Sequence, residues 1–179
     1  MNRVCNAIKL SFQSVVLLLK KNGRIHSPLI SNISITTEVQ AINNGYVQLG
    51  KKVATLSHVS LVANGGKLII EDNVGINRNC IFICRDNITI GSGCAFGPNV
   101  VIFDHDHEFD KKSFKMNQFR TSPITIGKNC WIGANVTILR GTHIGEGTVI
   151  GAGTIVKGDI PPHSLVTSNR EFKIRSIER

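Results

Sequence analysis

Residues 126–157 decide the fold, and they read IGKNCW IGANVT ILRGTH IGEGTV IGAGTI VK when divided into sixes. The first residue of every group is aliphatic, and glycine follows it in four of the groups. The fifth residue is cysteine, valine or threonine, which are small or β-branched types. An α-helix of 3.6 residues per turn cannot keep a six-residue period on one face, and glycine disfavours helix. The period therefore predicts short strands joined by tight turns.

The same register continues upstream, with one step of eight residues between Phe82 and Ile90. A single six-residue strand cannot bury its aliphatic residue, whereas stacked coils bury a continuous column. Three units per coil predict a triangular all-β solenoid with its aliphatic residues pointing inward. Cysteines at the small inward position are expected to fill the core. The apolar positions in register are Ile70, Ile76, Phe82, Ile90, Phe96 and Ile102, and the inward cysteines are Cys80, Cys94 and Cys130.

Composition limits the size of the fold and the kind of partner. The chain has 179 residues, of which 41% are hydrophobic, so it is long enough for one domain with a real core. Its 21 Lys and Arg against 12 Asp and Glu give a net charge of +9, which favours anionic partners. The cations are scattered, and the chain has one Trp and one Tyr, so we expect no nucleic-acid partner.

Residues 1–24 contain five cations and no acid, and their apolar residues recur at steps of three and four. This spacing predicts an amphipathic helix that either packs on the main domain or lies on an anionic membrane surface. Its apolar run is too short to span a bilayer, and no cleavage pattern follows. The five cysteines form no CxxC pair. We therefore expect a cytoplasmic protein, free or held at the inner face of the membrane. The expected organisation is the helix at 1–24, the solenoid at 25–165 and a basic tail at 166–179.

The repeat breaks once, in a loop at residues 103–123 that begins Asp104-His105-Asp106-His107. Long loops leaving a rigid scaffold often carry function. A calcium loop is disfavoured because Phe109 and Lys115 stand where that loop needs Gly and Glu. A metal held by the two histidines would need a third ligand, such as His58, His143 or a residue of a neighbouring subunit. The favoured hypothesis is that one imidazole acts as a general base toward a hydroxyl.

Two segments carry a resemblance to a known family: residues 122–133, SPITIGKNCWIG, and residues 150–162, IGAGTIVKGDIPP. The chain resembles the hexapeptide-repeat acyltransferases over roughly residues 65–175, and within them it is similar to the maltose and galactoside acetyltransferases. The resemblance implies a left-handed parallel β-helix and a homotrimer with sites between subunits. It also implies an acetyl-CoA-dependent O-acetyltransferase that acts on a sugar hydroxyl, without a metal. The basic N-terminal segment adds the hypothesis of a surface-glycan acceptor, and hence of a role in surface polysaccharide biosynthesis.

The resemblance also assigns residues. A Pro98-Asn-Val lead-in places His107 on the catalytic position, with His105, Asp104 and Asp106 as orienting or supporting neighbours. Asn77 falls near the acetyl and acceptor groups, and Trp131 on the acceptor and pantetheine side. Apart from the resemblance, Arg78 and Arg85 lie near Asn77 in the sequence, and their charge makes them candidates for contact with an acidic acceptor. The candidates for binding coenzyme A are Gly133, Ala134, Ala152, Lys157, Arg170, Lys173 and Arg175.

Lys157 lies one residue away from the lysine of these relatives, and the tail lacks their Gly-Asn-Pro-Ala type of turn. Two other classes of function stay open at this point. One is a metal-dependent β-helix enzyme of the carbonic anhydrase kind, which stoichiometric zinc would favour. The other is a non-catalytic β-helix scaffold, which predicts no binding of coenzyme A.

Overall fold

The computed structural model describes residues 24–28, 30–110 and 113–168, and this part of the chain consists of strands and turns. The strands are numbered β1 to β21 along the chain. Nineteen of them form three parallel sheets. Sheet I consists of β1 (Ile25–His26), β3 (Tyr46–Leu49), β6 (Lys67–Ile70), β9 (Asn87–Ile90), β14 (Ile124–Ile126), β17 (His143–Ile144) and β20 (Asp159–Ile160). Except for Arg24, the helix expected at residues 1–24 lies outside the described residues.

The other two sheets alternate with sheet I along the chain, so that from β2 onward each complete turn of the chain contributes one strand to each sheet. Sheet II consists of β4 (Ala54–Thr55), β7 (Gly75–Ile76), β10 (Ala95–Phe96), β15 (Trp131–Ile132), β18 (Val149–Ile150) and β21 (Leu165–Val166). Sheet III consists of β2 (Glu38–Ile42), β5 (Ser60–Asn64), β8 (Ile81–Cys84), β11 (Val101–Phe103), β16 (Thr137–Leu139) and β19 (Ile155–Val156). The predicted solenoid of hexapeptide repeats is confirmed.

The coils differ in length between the two ends of the solenoid. Ile132 pairs with Ile150, eighteen residues later, which is three units of six. Leu61 pairs with Phe82, twenty-one residues later, and Phe82 pairs with Ile102, twenty residues later. The extra residues lie at the corner where the chain passes from sheet III to sheet I, for example residues 85–86 between β8 and β9. We call this edge the III–I corner and the edge between sheets II and III the II–III corner.

The core is a set of aliphatic columns that run the length of the solenoid. The inward residues of neighbouring coils stack directly, as Ile102 does between Phe82 and Ile138. Cys80, Cys94 and Cys130 are buried at the expected small position. Threonine replaces them near the carboxyl end, and its hydroxyl is satisfied by backbone carbonyls, as where Thr142 donates to the Leu139 carbonyl at 2.6 Å.

Candidate functional site

The break in the repeat forms an antiparallel hairpin of two strands, β12 (His105–Phe109) and β13 (Phe114–Thr121), at the III–I corner. The sequence predicts a loop at residues 103–123, whereas the structure has a paired hairpin there. His105 lies opposite Thr121 and His107 opposite Phe119, and a register shift follows directly after His107. The hairpin therefore holds both histidines on a paired strand rather than on a free loop.

Asp104 anchors the hairpin where it leaves the solenoid. Its side chain is fully buried and accepts hydrogen bonds from the backbone amides of Arg85 at 2.8 Å and Asp86 at 2.7 Å. These two amides lie at the III–I corner of the coil below. At this corner the next coil leaves the solenoid and forms the hairpin. After the hairpin the chain returns to the solenoid at Ser122, whose backbone amide donates to the Asp104 carbonyl oxygen at 2.9 Å. Asp104 thus replaces the backbone acceptors that a continuous coil would supply.

The charge of Asp104 is stabilised in this buried position. Burial raises the pKa of the Asp104 carboxyl, but the hydrogen bonds from His105, Arg85 and Asp86 outweigh burial and hold the pKa below its usual range. The neighbouring Cys84 thiol responds in the opposite way, because burial and the Asp104 carboxylate both raise its pKa. The Asp104 carboxylate therefore supports the corner in its ionised form.

His105 is held against the scaffold. Its Nδ1 lies 3.1 Å from the Asp104 carboxylate, and only 13% of its side chain is exposed. Its ring packs edge-on against Phe103 and Phe119. Three residues were predicted to support the catalytic histidine: His105, Asp104 and Asp106. Two of them, His105 and Asp104, are instead direct partners of each other. Their contacts make them part of the foundation of the hairpin.

His107 is the exposed histidine of the pair. Its Nδ1 lies 3.3 Å from the backbone carbonyl oxygen of Lys115 on the opposite strand, and its ring centroid lies 4.5 Å from that of Phe119. A proton on Nδ1 is donated to this carbonyl, which places the lone pair of the neutral ring on Nε2. The geometry thus provides an orienting carbonyl for the tautomer that a general base requires.

Asp106 turns toward the solenoid and pairs with Arg140, with 2.5 Å between its Oδ2 and the arginine Nε. Arg140 directly follows β16, so this ion pair ties the hairpin to the coil above it. A second pair within the hairpin joins Arg120 to Glu108 at 3.8 Å. Both pairs are partly exposed, so each adds at most a modest stabilisation.

Arg85 meets the hairpin from the coil below. Its guanidinium carbon lies 3.5 Å from the centroid of the Phe119 ring, a cation–π contact. Its Nε is buried and has no hydrogen-bond partner. Arg85 and both histidines line one cavity of about 590 Å³ between the hairpin and sheet III. The other lining residues are Asn43, Val62, Asn64, Ile83, Met116, Asn117 and Phe119.

The remaining predicted acceptor residues lie elsewhere on the solenoid. Asn77 and Arg78 form a turn at the II–III corner, where the Arg78 amide donates to the Asn77 side chain at 2.8 Å. Trp131 lies on the outer face of sheet II between Ala95 and Val149, with 59% of its surface exposed. In a three-sided solenoid, sheet II is opposite the III–I corner. One subunit therefore does not bring Trp131 together with His107.

The residues predicted to bind coenzyme A are also divided. Gly133, Ala134 and Ala152 lie at the II–III corner, and exposed Lys157 lies near the III–I corner. Gly133 has a packing reason to be glycine, because a Cβ there would lie 2.7 Å from the Ala152 backbone nitrogen. The three basic tail residues of the prediction, Arg170, Lys173 and Arg175, lie outside the described residues.

Within residues 24–28, 30–110 and 113–168, no group of three or more His, Cys, Asp or Glu side chains is arranged to hold a metal ion. Across the same residues, no helix has the length and apolar character needed to cross a bilayer.

Four residues of the cavity wall were not predicted from the sequence: Asn43, Asn64, Asn117 and Phe119. Asn43, Asn64 and Arg85 belong to three different coils and meet because the extra residues of the lower coils all lie at the III–I corner. The step of eight between Phe82 and Ile90 was the one signal of a wider corner. It marked the position of Arg85 but not what faces it.

A three-sided hexapeptide solenoid with one inserted hairpin is the class that this fold and site define. A family model described as the hexapeptide repeat of succinyl-transferase matches residues 123–157. WbbJ of Escherichia coli K12, named as a lipopolysaccharide biosynthesis O-acetyl transferase, is 32% identical over 134 residues, covering 69% of this chain and 68% of that protein. A Schizosaccharomyces pombe protein named as an acetyltransferase is 43% identical over 102 residues, covering 57% of this chain and 49% of that protein.

The chain belongs to the hexapeptide-repeat acyltransferase family. It spans about half to two thirds of the length of these curated relatives. Among solved structures, a Clostridium difficile maltose O-acetyltransferase shares the fold with a TM-score of 0.56 at 24% identity, covering 98% of this chain and 88% of that one. The Bacillus cereus N-acyltransferase AntD, solved with coenzyme A and dTDP-4-amino-4,6-dideoxyglucose, aligns with a TM-score of 0.66 at 19% identity, covering 83% and 81% of the two chains.

Proposed function

We propose that this protein transfers an acetyl group from acetyl-CoA to a hydroxyl of a sugar, with His107 as the general base. The observation that carries the proposal is the position of His107 in the hairpin cavity, with Nδ1 held at 3.3 Å from the Lys115 carbonyl. The names of the relatives support the reaction class, because both curated relatives are named as acetyltransferases and WbbJ is assigned to lipopolysaccharide. AntD and the maltose enzyme extend the same fold to sugar acceptors.

The chemistry follows from the orientation of the imidazole. His107 takes the hydroxyl proton on Nε2 as the hydroxyl oxygen attacks the thioester carbonyl carbon. A backbone N–H stabilises the negative charge that develops on the carbonyl oxygen. The tetrahedral intermediate then collapses with cleavage of the carbon–sulfur bond. His107 returns its proton to the departing sulfur, which leaves as the free thiol. The transfer is direct and needs no covalent enzyme intermediate.

The division of the site residues supports assembly of the site between subunits. His107 lies at the III–I corner, whereas Asn77 and Trp131 lie on the opposite side of the same subunit. Two large apolar side chains of sheet II are exposed on that side, Trp131 at 59% and Leu165 at 72%. We propose a homotrimer in which sheet II of one subunit faces the hairpin of the next, so that two subunits complete each site.

Subunit mixing tests this assembly. His107→Ala and Trp131→Ala homo-oligomers are each expected to be nearly inactive. If sites form between subunits, unfolding and refolding the two variants together restores part of the activity, because some interfaces then carry both native residues. Mixed oligomers that stay inactive would contradict the shared site. Light scattering of the wild type checks the trimer directly.

We place the enzyme in surface polysaccharide biosynthesis in the cytoplasm, with residues 1–24 in contact with the inner face of the membrane. The support for this role is the name of WbbJ and the basic, acid-free composition of these residues. Charge reversal of Lys20 and Lys21 to Glu is expected to reduce binding to anionic vesicles and activity on a lipid-linked acceptor. Unchanged partition and activity would remove the membrane role.

The reaction itself is tested by calorimetric titration of acetyl-CoA, followed by thiol release with a panel of sugars. We expect the wild type and His107→Ala to bind acetyl-CoA alike and only the wild type to turn over. His143→Ala is the matched control, because His143 is exposed on β17 in sheet I. Failure of both the wild type and His107→Ala to bind acetyl-CoA would overturn the transferase proposal.

A further inference from the structure

Arg85 is a cation without a counter-charge in the hairpin cavity. Among the described residues, no carboxylate lies within ion-pair distance of its guanidinium, and its buried Nε has no hydrogen-bond partner. An unsatisfied donor of a charged group is costly when water is excluded from it. Because the Nε itself is covered, a bound molecule would meet the part of the guanidinium that lines the cavity.

The guanidinium is held in position rather than free to follow solvent. The Arg85 amide is bound by the Asp104 carboxylate at 2.8 Å, and the Phe119 ring covers one face of the guanidinium at 3.5 Å. Stacking on a ring leaves the edges of the planar fork available for hydrogen bonds in its own plane. This arrangement suits two-pronged recognition of a carboxylate or phosphate.

The cavity wall around Arg85 favours an anion. Its polar side chains are the amides of Asn43, Asn64 and Asn117 and the imidazoles of His105 and His107, and no Asp or Glu is among the lining residues. Asn43 donates to Asn64 at 2.7 Å, which orders the amide groups. The volume of about 590 Å³ lies within the usual range of small-molecule sites.

We propose that the acceptor is an anionic sugar whose carboxylate or phosphate binds Arg85 while one of its hydroxyls faces His107. This inference rests on the proposed function and names its substrate class. Arg85 is the specificity-determining residue, because it shares a cavity with His107. Arg78, the other arginine considered for an acidic acceptor, is exposed at the II–III corner, outside this cavity.

The test compares three sugars that differ in charge: glucose, glucuronate and glucose 1-phosphate. Binding of each is measured by saturation-transfer NMR without an acyl donor, and kcat/KM is measured with acetyl-CoA. We expect at least one anionic sugar to exceed glucose by about 10–100-fold, as charge-assisted hydrogen bonds allow. Preference for glucuronate identifies a uronic-acid type of acceptor, and preference for glucose 1-phosphate identifies a sugar phosphate or nucleotide sugar.

Variants assign the preference to Arg85. Arg85→Gln is expected to remove it, and Arg85→Lys to keep only part of it, because lysine retains the charge without the planar fork. Lys67→Gln, which removes an exposed cation of β6 on sheet I, is expected to keep the full preference. Thermal unfolding checks that each variant folds; the Arg85 amide bond to Asp104 does not depend on the side chain.

Two results would overturn the inference: equal binding of glucose and both anionic sugars by the wild type, or an anionic preference that survives in Arg85→Gln. Failure of the transferase proposal looks different, since it shows as absent acetyl-CoA binding and absent thiol release. Binding of an anionic sugar that depends on Arg85 and needs no acyl donor supports the anion site even in that case.

Discussion

The II–III corner is regular along the solenoid, whereas the III–I corner is not. At the II–III corner, Asn79, Asn99 and Asn135 all have φ between 56° and 59°. Their side chains form a ladder, with Asn79 donating to Asn99 at 3.2 Å and Asn99 to Asn135 at 3.0 Å. At the III–I corner, the equivalent positions carry extra residues, a buried Asp104 and the hairpin. The repeat is kept where each turn contacts copies of itself and is lost where the candidate site lies.

The comparison of coil lengths leads to the same conclusion. The eighteen-residue coils bring the backbones of Gly133 and Ala152 into close contact and leave no room for a side chain between them. The longer coils below the hairpin have room for Asn64 and Arg85 at the corner. The long coils thus supply the polar cavity. Close backbone packing occurs in both kinds of coil, since a Cβ at Gly66 in a long coil would lie 2.6 Å from the Asp86 backbone nitrogen.

The largest expected effect is at the irregular corner and separates its two histidines. His107→Asn should lower kcat by about 10²–10⁴-fold, because it removes the base without removing a buried contact. His105→Asn should lower kcat by less than about tenfold and lower the free energy of unfolding by about 1 kcal/mol, through its bond to Asp104. Steady-state kinetics and urea unfolding of both variants measure this. A larger loss of kcat in His105→Asn than in His107→Asn would identify His105, and not His107, as the general base.

Removal of the Asp104 charge tests whether the irregular corner depends on one residue. Asp104→Asn should lower the free energy of unfolding by about 3 kcal/mol, because an amide cannot accept all the hydrogen bonds that the carboxylate accepts. Asp106→Asn, at a half-exposed ion pair, should cost less than about 1 kcal/mol. Urea unfolding at neutral pH compares the two variants. Similar losses in the free energy of unfolding would show that Asp104 does not anchor the hairpin.

The lowered pKa of Asp104 also gives this contribution a pH dependence. It is fully present above the unfolded-state pKa of about 3.9 and is lost as the pH falls through the lower folded-state pKa. The stability difference between the wild type and Asp104→Asn should therefore shrink below about pH 4. A difference that stays constant to pH 2 would contradict the assignment.

The close contact between Gly133 and the Ala152 backbone is tested by comparing Gly133 with Gly75, a glycine within β7 of sheet II. Gly133→Ala should lower the free energy of unfolding by about 2 kcal/mol, because its Cβ meets a backbone nitrogen that cannot move aside. Gly75→Ala is the matched control, since no atom lies within 4 Å of its Cβ position. It should be neutral or stabilising by about 0.5 kcal/mol. Denaturant unfolding of both variants checks the contrast, and equal effects would remove the packing explanation.

The smallest effect is expected in the asparagine ladder. Asn99→Ala should cost about 1–2 kcal/mol, because a left-handed φ of 59° is unfavourable for alanine. Asn99→Gly should cost less, since glycine adopts this φ freely and loses only the side-chain bonds. Denaturant midpoints measure both variants. If glycine were as destabilising as alanine, the ladder bonds rather than the backbone would dominate this corner.

Much of the fold was predictable, because the signal was local and repeated. The inward positions of Ile102, Ile138 and Cys130 followed from the six-residue period alone and are confirmed by burial. The break after Ile102 was equally visible. The hairpin was not predicted, because the pairing of His107 with Phe119 depends on a register shift that leaves no periodic trace. The place of Asp104 as a buried anchor was missed, since a carboxylate in an acidic, histidine-rich segment looks like a surface residue.

The sequence by itself determined the solenoid, its inward columns and the point where the repeat stops. Each short segment shows the period of six, and parallel strand pairing stacks equivalent positions of neighbouring coils. The tertiary structure alone decided that Arg85 meets Phe119 across 34 positions of sequence, and that Trp131 and His107 lie on opposite sides of one subunit. These contacts depend on coil length and on the fold of the hairpin. The physical reason is that periodicity is a property of neighbouring residues, whereas a cavity is made by side chains that only stacking brings together.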